Sequence, residues 1–233
     1  MIEAVLLTAG KSSRMGKDKA LLEINGRKVI NIIIEKLITS ITGGRHESLP
    51  LLVILGHHGE SIKEAVEDAF LDKIEFVYNE NHLDGMYSSI KKGVSCLTGN
   101  NPFILHMIDQ PFIEQELYDK VAKEYDYKSP ICQPVYIAPQ PPKGGVVTEN
   151  GDCRGNALVL APSSPLNGKL GHPIIVNQEL IPKIKNDNQS QSLKDFLKPY
   201  YKDIQTIEYN KNTILQNLNN YESFQNALKE TKV

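Results

Sequence analysis

What this chain lacks narrows its chemistry before any motif is read. Its three cysteines, Cys96, Cys132 and Cys153, stand far apart. No paired spacing suggests a zinc site or a disulfide framework, so they read as buried or incidental thiols. There is no excess of basic residues either: the formal net charge is −2. A nucleic-acid backbone partner would require a positive surplus, so small molecules or proteins are the expected partners. No apolar run approaches the roughly 20 residues that cross a bilayer. The opening Met1-Ile2-Glu3 has none of the basic residues that start a secretory leader, and a cytoplasmic location with no membrane partner is expected. Internal repeats are lacking, and the one polar tract, Lys185 to Gln191, is short enough to be a surface turn. The 233 residues suit one large α/β domain spanning 1–233.

The residues that are present organise around Leu6-Leu7-Thr8-Ala9-Gly10-Lys11-Ser12-Ser13-Arg14-Met15-Gly16-Lys17-Asp18-Lys19, which follows the apolar run Ile2 to Leu7 directly. A buried strand delivers this segment to the edge of a sheet. Gly10 and Gly16 then let the backbone turn its N–H groups towards an anion. Three lysines and one arginine fall within nine residues, adding mobile positive charge, so a triphosphate suits the hollow. A Walker loop is excluded: it needs four residues between its glycines, then Lys and Ser or Thr. Here five residues separate Gly10 from Gly16, and Asp18 follows Lys17. No G-x-G-x-x-G follows the strand, which excludes the dinucleotide fingerprint.

Downstream, periodicity and turn chemistry predict alternating strands and helices. Ala20 to Arg27 ends in an Asn25-Gly26 turn signal, Val29 to Ile38 has the apolar density of a buried helix, and Thr39 to Pro50 reads as a loop. Leu51 to Leu55 is a continuous apolar run suited to a central parallel strand. Gly56-His57-His58-Gly59 closes it, and Ser61 with Glu64 forms a capping box for a helix through Phe70. His57 and His58 do not read as a metal pair, because adjacent residues on a turn point apart and no further ligand is spaced around them. Glu75 to Tyr78 is the third strand. Asn79 to Ser89 is a second loop, with serines that suit the cap of a helix from Ile90 to Leu97. Pro102 to Ile108 is the fourth strand, and Asp109-Gln110-Pro111 stands at its carboxyl end, beside the crevice where open α/β sheets bind ligands. An uncompensated buried carboxylate is costly, and magnesium, a hard cation satisfied by one or two carboxylates and phosphate oxygens, is its natural partner. The alternative is that Asp109 caps the helix Glu114 to Lys123. Gln133 to Tyr136, Ile204 to Tyr209, a short helix Ser192 to Leu197 and a closing helix to Lys229 complete the reading.

The opening L-x-A-G-x-S-x-R-M-G-x-x-K resembles the signature of nucleotidyltransferases of the molybdopterin-guanylyl and sugar-nucleotide type, at every fixed position. The resemblance implies a Rossmann-like three-layer α/β fold with a mostly parallel central sheet. It divides the chain into a nucleotide-binding half, 1–123, and an acceptor-binding half, 124–233, with an inserted lobe at about 137–169. It implies that Leu7, Thr8, Ala9, Gly10, Ser12 and Ser13 bind the nucleotide, that Arg14 and Lys19 neutralise its phosphates, and that Gly56 lies near the base. The run N-x(5)-G-M-x-S-S places Asn79, Gly85, Ser88 and Ser89 beside base and ribose, as in the molybdenum cofactor cytidylyltransferase branch. The strand with D-Q-P makes Asp109 the magnesium ligand, and Gln110, Gly171 and His172 fall on the acceptor side. Asn219 takes the place of a second metal residue; it holds magnesium directly, holds a metal-bound water, or only caps the last helix. The resemblance covers Ile2 to about Lys123 well and the rest in patches. The arginine that usually precedes G-H-P is Leu170 here, and Arg154 either replaces it or sits on an exposed turn.

The implied reaction is magnesium-dependent transfer of CMP from CTP to the phosphate of molybdopterin, releasing pyrophosphate, with a molybdoenzyme or its chaperone as a further partner. Guanylyl transfer, or transfer to a sugar phosphate, is the alternative within the class. A non-catalytic cofactor-binding carrier is the alternative outside it. A phosphate monoester is already ionised near neutral pH, so alignment and charge stabilisation suffice and no catalytic triad is required.

Overall fold

The structure is a computed structural model that describes residues 1–10, 17–42, 50–138, 169–218 and 221–230. Ser12, Ser13, Arg14, Arg154, Asn219 and nearly all of the expected lobe at 137–169 lie outside the described residues.

The first strand, β1 (Glu3–Leu7), is buried at every position because both of its faces are covered. Ala4 and Leu6 pack into one apolar core, Val5 and Leu7 into another. The same alternation runs through β4 (Leu51–Leu55) and β6 (Phe103–Met107), which pair in parallel on either side of β1. Strand β5 (Ile74–Tyr78) extends the parallel set beyond β4. On the other flank β9 (Ile174–Val176) runs antiparallel between β6 and β7 (Ile131–Tyr136), and β10 (Gln205–Tyr209) is parallel to β7. The spatial order is β10-β7-β9-β6-β1-β4-β5, with β8 (Lys169–Leu170) beside β7 and a separate hairpin of β2 (Glu23–Ile24) and β3 (Arg27–Lys28). That hairpin turns at Asn25 and Gly26, both with positive φ, as the Asn-Gly signal requires.

Helices cover both faces. Apolar residues of α1 (Val29–Thr42), α2 (Gly59–Ala65), α4 (Gln115–Glu124) and α7 (Tyr221–Glu230) contribute to the first core. Those of α3 (Met86–Cys96), α5 (Ile181–Lys185) and α6 (Leu193–Leu197) contribute to the second. The result is a three-layer α/β arrangement with a mostly parallel sheet. Because the chain leaves β1 for β4 and β5 and then returns to β6 on the opposite side, the carboxyl ends of β1 and β6 flank a topological switch point.

Several local expectations are corrected. Helix α1 runs on through Thr42 rather than ending at Ile38. No capping box opens α2: the helix starts at Gly59, so Ser61 lies inside it. The Gly56–Gly59 turn winds straight into the helix, with the Gly59 N–H donating to the Gly56 carbonyl at 3.1 Å and the Ile62 N–H to that of His58 at 3.1 Å. Helix α3 starts at Met86, so its serines are not caps; Gly85, at φ 100°, makes the turn before it. Asp109 does not cap α4, whose N-cap residue is Glu114.

Candidate active site

At the end of β1 the ladder to β4 continues through Thr8. Its N–H and its hydroxyl both donate to the Ile54 carbonyl, at 3.1 and 2.7 Å. The Thr8 side chain is therefore spent inside the protein, and only its backbone is left to serve a ligand. Ala9 then crosses close over Gly56, where an added Cβ would stand 2.7 Å from the Ala9 oxygen. Gly56 is thus needed to seat the loop against the end of β4.

The second loop is held by Asn79, itself 2% exposed. Its side-chain amide donates to the hydroxyls of Ser88 at 3.0 Å and Ser89 at 2.9 Å, and its oxygen accepts from the Asn81 N–H at 3.1 Å. Ser88 in turn donates to the carbonyls of Asn81 and Gly85. The structure therefore brings Asn79, Gly85, Ser88 and Ser89 together, chiefly as a clamp that shapes the loop and the start of α3.

Between the two loops lies a cavity of about 400 Å³. Leu7, Ala9, Gly10 and Lys19 form one side, residues 82–89 supply the other, and Met107 to Asp109 form the floor. Lys19 sits on a single 3₁₀ turn whose N-cap, Asp18, accepts from the Ala20 N–H at 2.9 Å. That turn places the Lys19 ammonium 3.6 Å from a carboxylate oxygen of Asp109. Two residues far apart in sequence thus bring a positive and a negative group to one point on the cavity floor.

Beyond Asp109 a second cavity, of about 250 Å³, shares Met86, Met107 and Asp109 with the first. Gln110, Gly171 and His172, the residues expected on the acceptor side, are among those that line it. Gly171 passes close to Ile214, 2.9 Å from where its Cβ would be. Burial pushes the His172 imidazole down to about 4, against the opposing pull of the Asp109 carboxylate. Deeper still, His106 is fully enclosed and sits 3.0 Å from the Tyr118 hydroxyl, and burial holds its imidazole well below the ordinary range. Gln133 and Asn217 also line this cavity, and neither was expected as a site residue. A signal was present for Gln133, an amide in the middle of an apolar strand; it is 1% exposed. The side-chain oxygens of Gln110, Gln133 and Asn217 are buried with no hydrogen-bond partner among the described residues.

The expectation that His57 and His58 point apart is also corrected: their rings meet edge-on, with centroids 4.5 Å from each other. Among the described residues no group of three or more His, Cys, Asp or Glu side chains could hold a metal by itself. Asp109 nonetheless fits magnesium in the manner typical of nucleotide sites, one carboxylate with the remaining positions filled by phosphate and water. One of its oxygens is buried without a hydrogen-bond partner.

A family model described as the MobA-like NTP transferase domain matches residues 4–206. The chain belongs to that family. Two curated relatives of this MobA-like chain carry the name probable molybdenum cofactor guanylyltransferase. That of Pyrococcus horikoshii is 28% identical over 133 residues, 56% of this chain and 60% of that protein. That of Natranaerobius thermophilus is 30% identical over 125 residues, 53% of this chain and 54% of that protein. The match thus spans little more than half the length of these relatives. A solved nucleotidyl transferase from Methanothermobacter thermautotroptrophicus superposes with a TM-score of 0.66 at 20% identity, covering 99% of this chain and 97% of that one, and shares the fold. No helix among the described residues is long and apolar enough to cross a membrane.

Proposed function

We propose that this protein transfers a nucleotidyl group from a nucleoside triphosphate to the phosphate of an acceptor, with CTP and molybdopterin as donor and acceptor. The observation that carries the reading is the meeting of two cavities at Asp109, with Lys19 beside it. The donor occupies the first cavity, over Ala9 and Gly10, and the acceptor the second. An acceptor phosphate oxygen attacks the α-phosphorus, the bond to the β-phosphate oxygen breaks, and pyrophosphate leaves with the electron pair. Lys19, joined by Arg14, offsets charge on the transferring group and on the pyrophosphate. Asp109, with Asn219 as a further candidate, would hold Mg²⁺, which supplies Lewis-acid polarisation of phosphate oxygens. Ser12 and Ser13 complete the phosphate loop in this reading.

The acceptor cavity has mostly apolar walls with three unpaired amide oxygens, from Gln110, Gln133 and Asn217. A neutral ring rich in N–H or O–H donors suits it, since buried acceptors left unpaired are costly. A pterin meets that description, and so does a sugar, which keeps a sugar-phosphate acceptor as the alternative. Donor choice divides in the same way. L-T-A-G, G-M-x-S-S, D-Q-P and G-H-P favour CTP, whereas the names of the two curated relatives favour GTP. A carrier that binds cofactor without turnover is favoured only by Asn219, an amide in place of a second metal-binding carboxylate.

Pyrophosphate release with magnesium tests these readings, comparing CTP, GTP, ATP and UTP, each with and without molybdopterin. Release with CTP only when the pterin is present is the expected result. Release with another nucleotide keeps the reaction and changes the donor. Nucleotide or pterin binding without release, across a panel that includes sugar phosphates, replaces the enzyme with the carrier.

A further inference from the structure

His82 is a residue that the motifs did not use. It stands in the 3₁₀ turn His82–Asp84, between the Asn79 clamp and Gly85, and lines the first cavity opposite Ala9 and Gly10. Its Nδ1 lies 3.1 Å from the Asn79 carbonyl oxygen. A carbonyl can only accept, so Nδ1 carries the proton, and in the neutral ring Nε2 must then be an acceptor. That tautomer is supported by rigid surroundings. Asn79 is fixed through its N–H to the Leu55 carbonyl at 2.9 Å and through its side chain to both serines. The imidazole is flanked by the rings of His57 and Tyr78, with centroids at 6.2 and 6.3 Å.

Two of its neighbours in the cavity wall are large and apolar. Leu83 and Met86 line the same space and are 63% and 54% exposed, unusually open for large hydrophobic side chains. Such surfaces suit the faces of a planar ring, while a fixed acceptor beside them suits a donor on the ring's edge. Resting on the nucleotide-donor reading above, we infer that His82 is a specificity-determining residue for the base and selects nucleotides whose base carries an exocyclic amino group. Cytosine, guanine and adenine present such an N–H. Uracil places a carbonyl oxygen where cytosine has its amino group, which would set one acceptor against another, and hypoxanthine lacks the amino group of guanine.

Equilibrium binding tests this without depending on turnover. Dissociation constants for CTP against UTP and for GTP against inosine triphosphate are measured with magnesium at about pH 8. The measurement is made on the wild type and on His82→Phe and His82→Gln. In at least one pair the wild type should prefer the amino-bearing member by about tenfold, the value of one well-placed hydrogen bond. His82→Phe should bring that ratio to within about twofold of unity by weakening the amino-bearing member, and His82→Gln, which keeps an acceptor, should retain part of it. A ratio unchanged in His82→Phe, or a wild type indifferent within both pairs, overturns the role of His82 while leaving nucleotide binding intact. A wild type that binds no nucleoside triphosphate overturns the donor reading itself.

Discussion

Lys19 and Asp109 do what neither could do alone. The ammonium stands 3.6 Å from the carboxylate, so one floor carries both charges; in the proposed reaction the cation would meet phosphate oxygens and the carboxylate a hard metal. Replacing Lys19 by Ala should raise the barrier by roughly 2.7–4 kcal/mol, a loss of about 10²–10³ in turnover, the scale of a lost oxyanion donor. Pyrophosphate release at saturating nucleotide measures it, with circular dichroism to show an intact fold; wild-type turnover would remove Lys19 from the mechanism. The buried histidines make a separate prediction about acid. His106 and His172 have folded values depressed below the ordinary 6.5, His172 to about 4. The unfolded chain therefore binds more protons as pH falls below 6.5. Their stabilising contribution is complete above that value and is lost as pH falls towards 4. Stability should therefore fall between pH 7.5 and 5.5. Urea midpoints at the two pH values measure this, and His106→Gln should shrink the difference. In the sequence, the importance of Thr8 and Asn79 could be read but not their physical work. The partner of Thr8 is Ile54, and no local pattern announces a contact 46 positions away.

At the level of elements, the long strands were legible, and helix starts were legible at α1 and α6 but not at α2 and α3. Five-residue apolar runs such as Leu51–Leu55 are bounded by turn residues and have no competing local choice. A helix start depends on a few hydrogen bonds that neighbouring residues can supply in more than one way. At α2 the Gly56–Gly59 turn displaced the Ser61 capping box. At α3 the serines went to Asn79 instead of the helix end. The clamp they form carries its own prediction. Asn79→Ala leaves the two hydroxyls and the Asn81 N–H without their partner, and should cost roughly 1–3 kcal/mol of stability. Because the loop it shapes walls the first cavity, KM for the nucleotide should rise more than kcat falls. Urea unfolding and steady-state kinetics on that variant check both, and an unchanged KM would separate the clamp from the nucleotide.

Across the whole molecule, layers and sheet class could be read from alternating apolar runs, but strand order could not. The three-residue β9, inserted antiparallel between β6 and β7, is selected by tertiary contact and not by its own pattern. Nor could the sequence show that two cavities share Asp109. That junction predicts coupling between ligands. Nucleotide with magnesium should raise the melting temperature, by an amount equivalent to about 2.7 kcal/mol at a hundredfold excess over Kd. Acceptor affinity measured with and without nucleotide should differ by the same factor as nucleotide affinity measured with and without acceptor. Unequal factors would mean that the two ligands do not share one equilibrium.

The pairing of β1 with β6 also sets a clock. Glu3 lies opposite Phe103 and Leu7 opposite Met107, so the strand bearing the glycine loop emerges from the ribosome long before the strand that supplies its floor. Until residue 109 has been made and the strand before it has docked, the end of β1 has neither Asp109 near it nor a closed sheet beside it. Contacts this distant in sequence form slowly, and the uncovered apolar edge is exposed to aggregation meanwhile. Any site that needs both strands is therefore completed late in the life of each new chain, and a ligand that required it could stabilise only chains that had already finished the sheet.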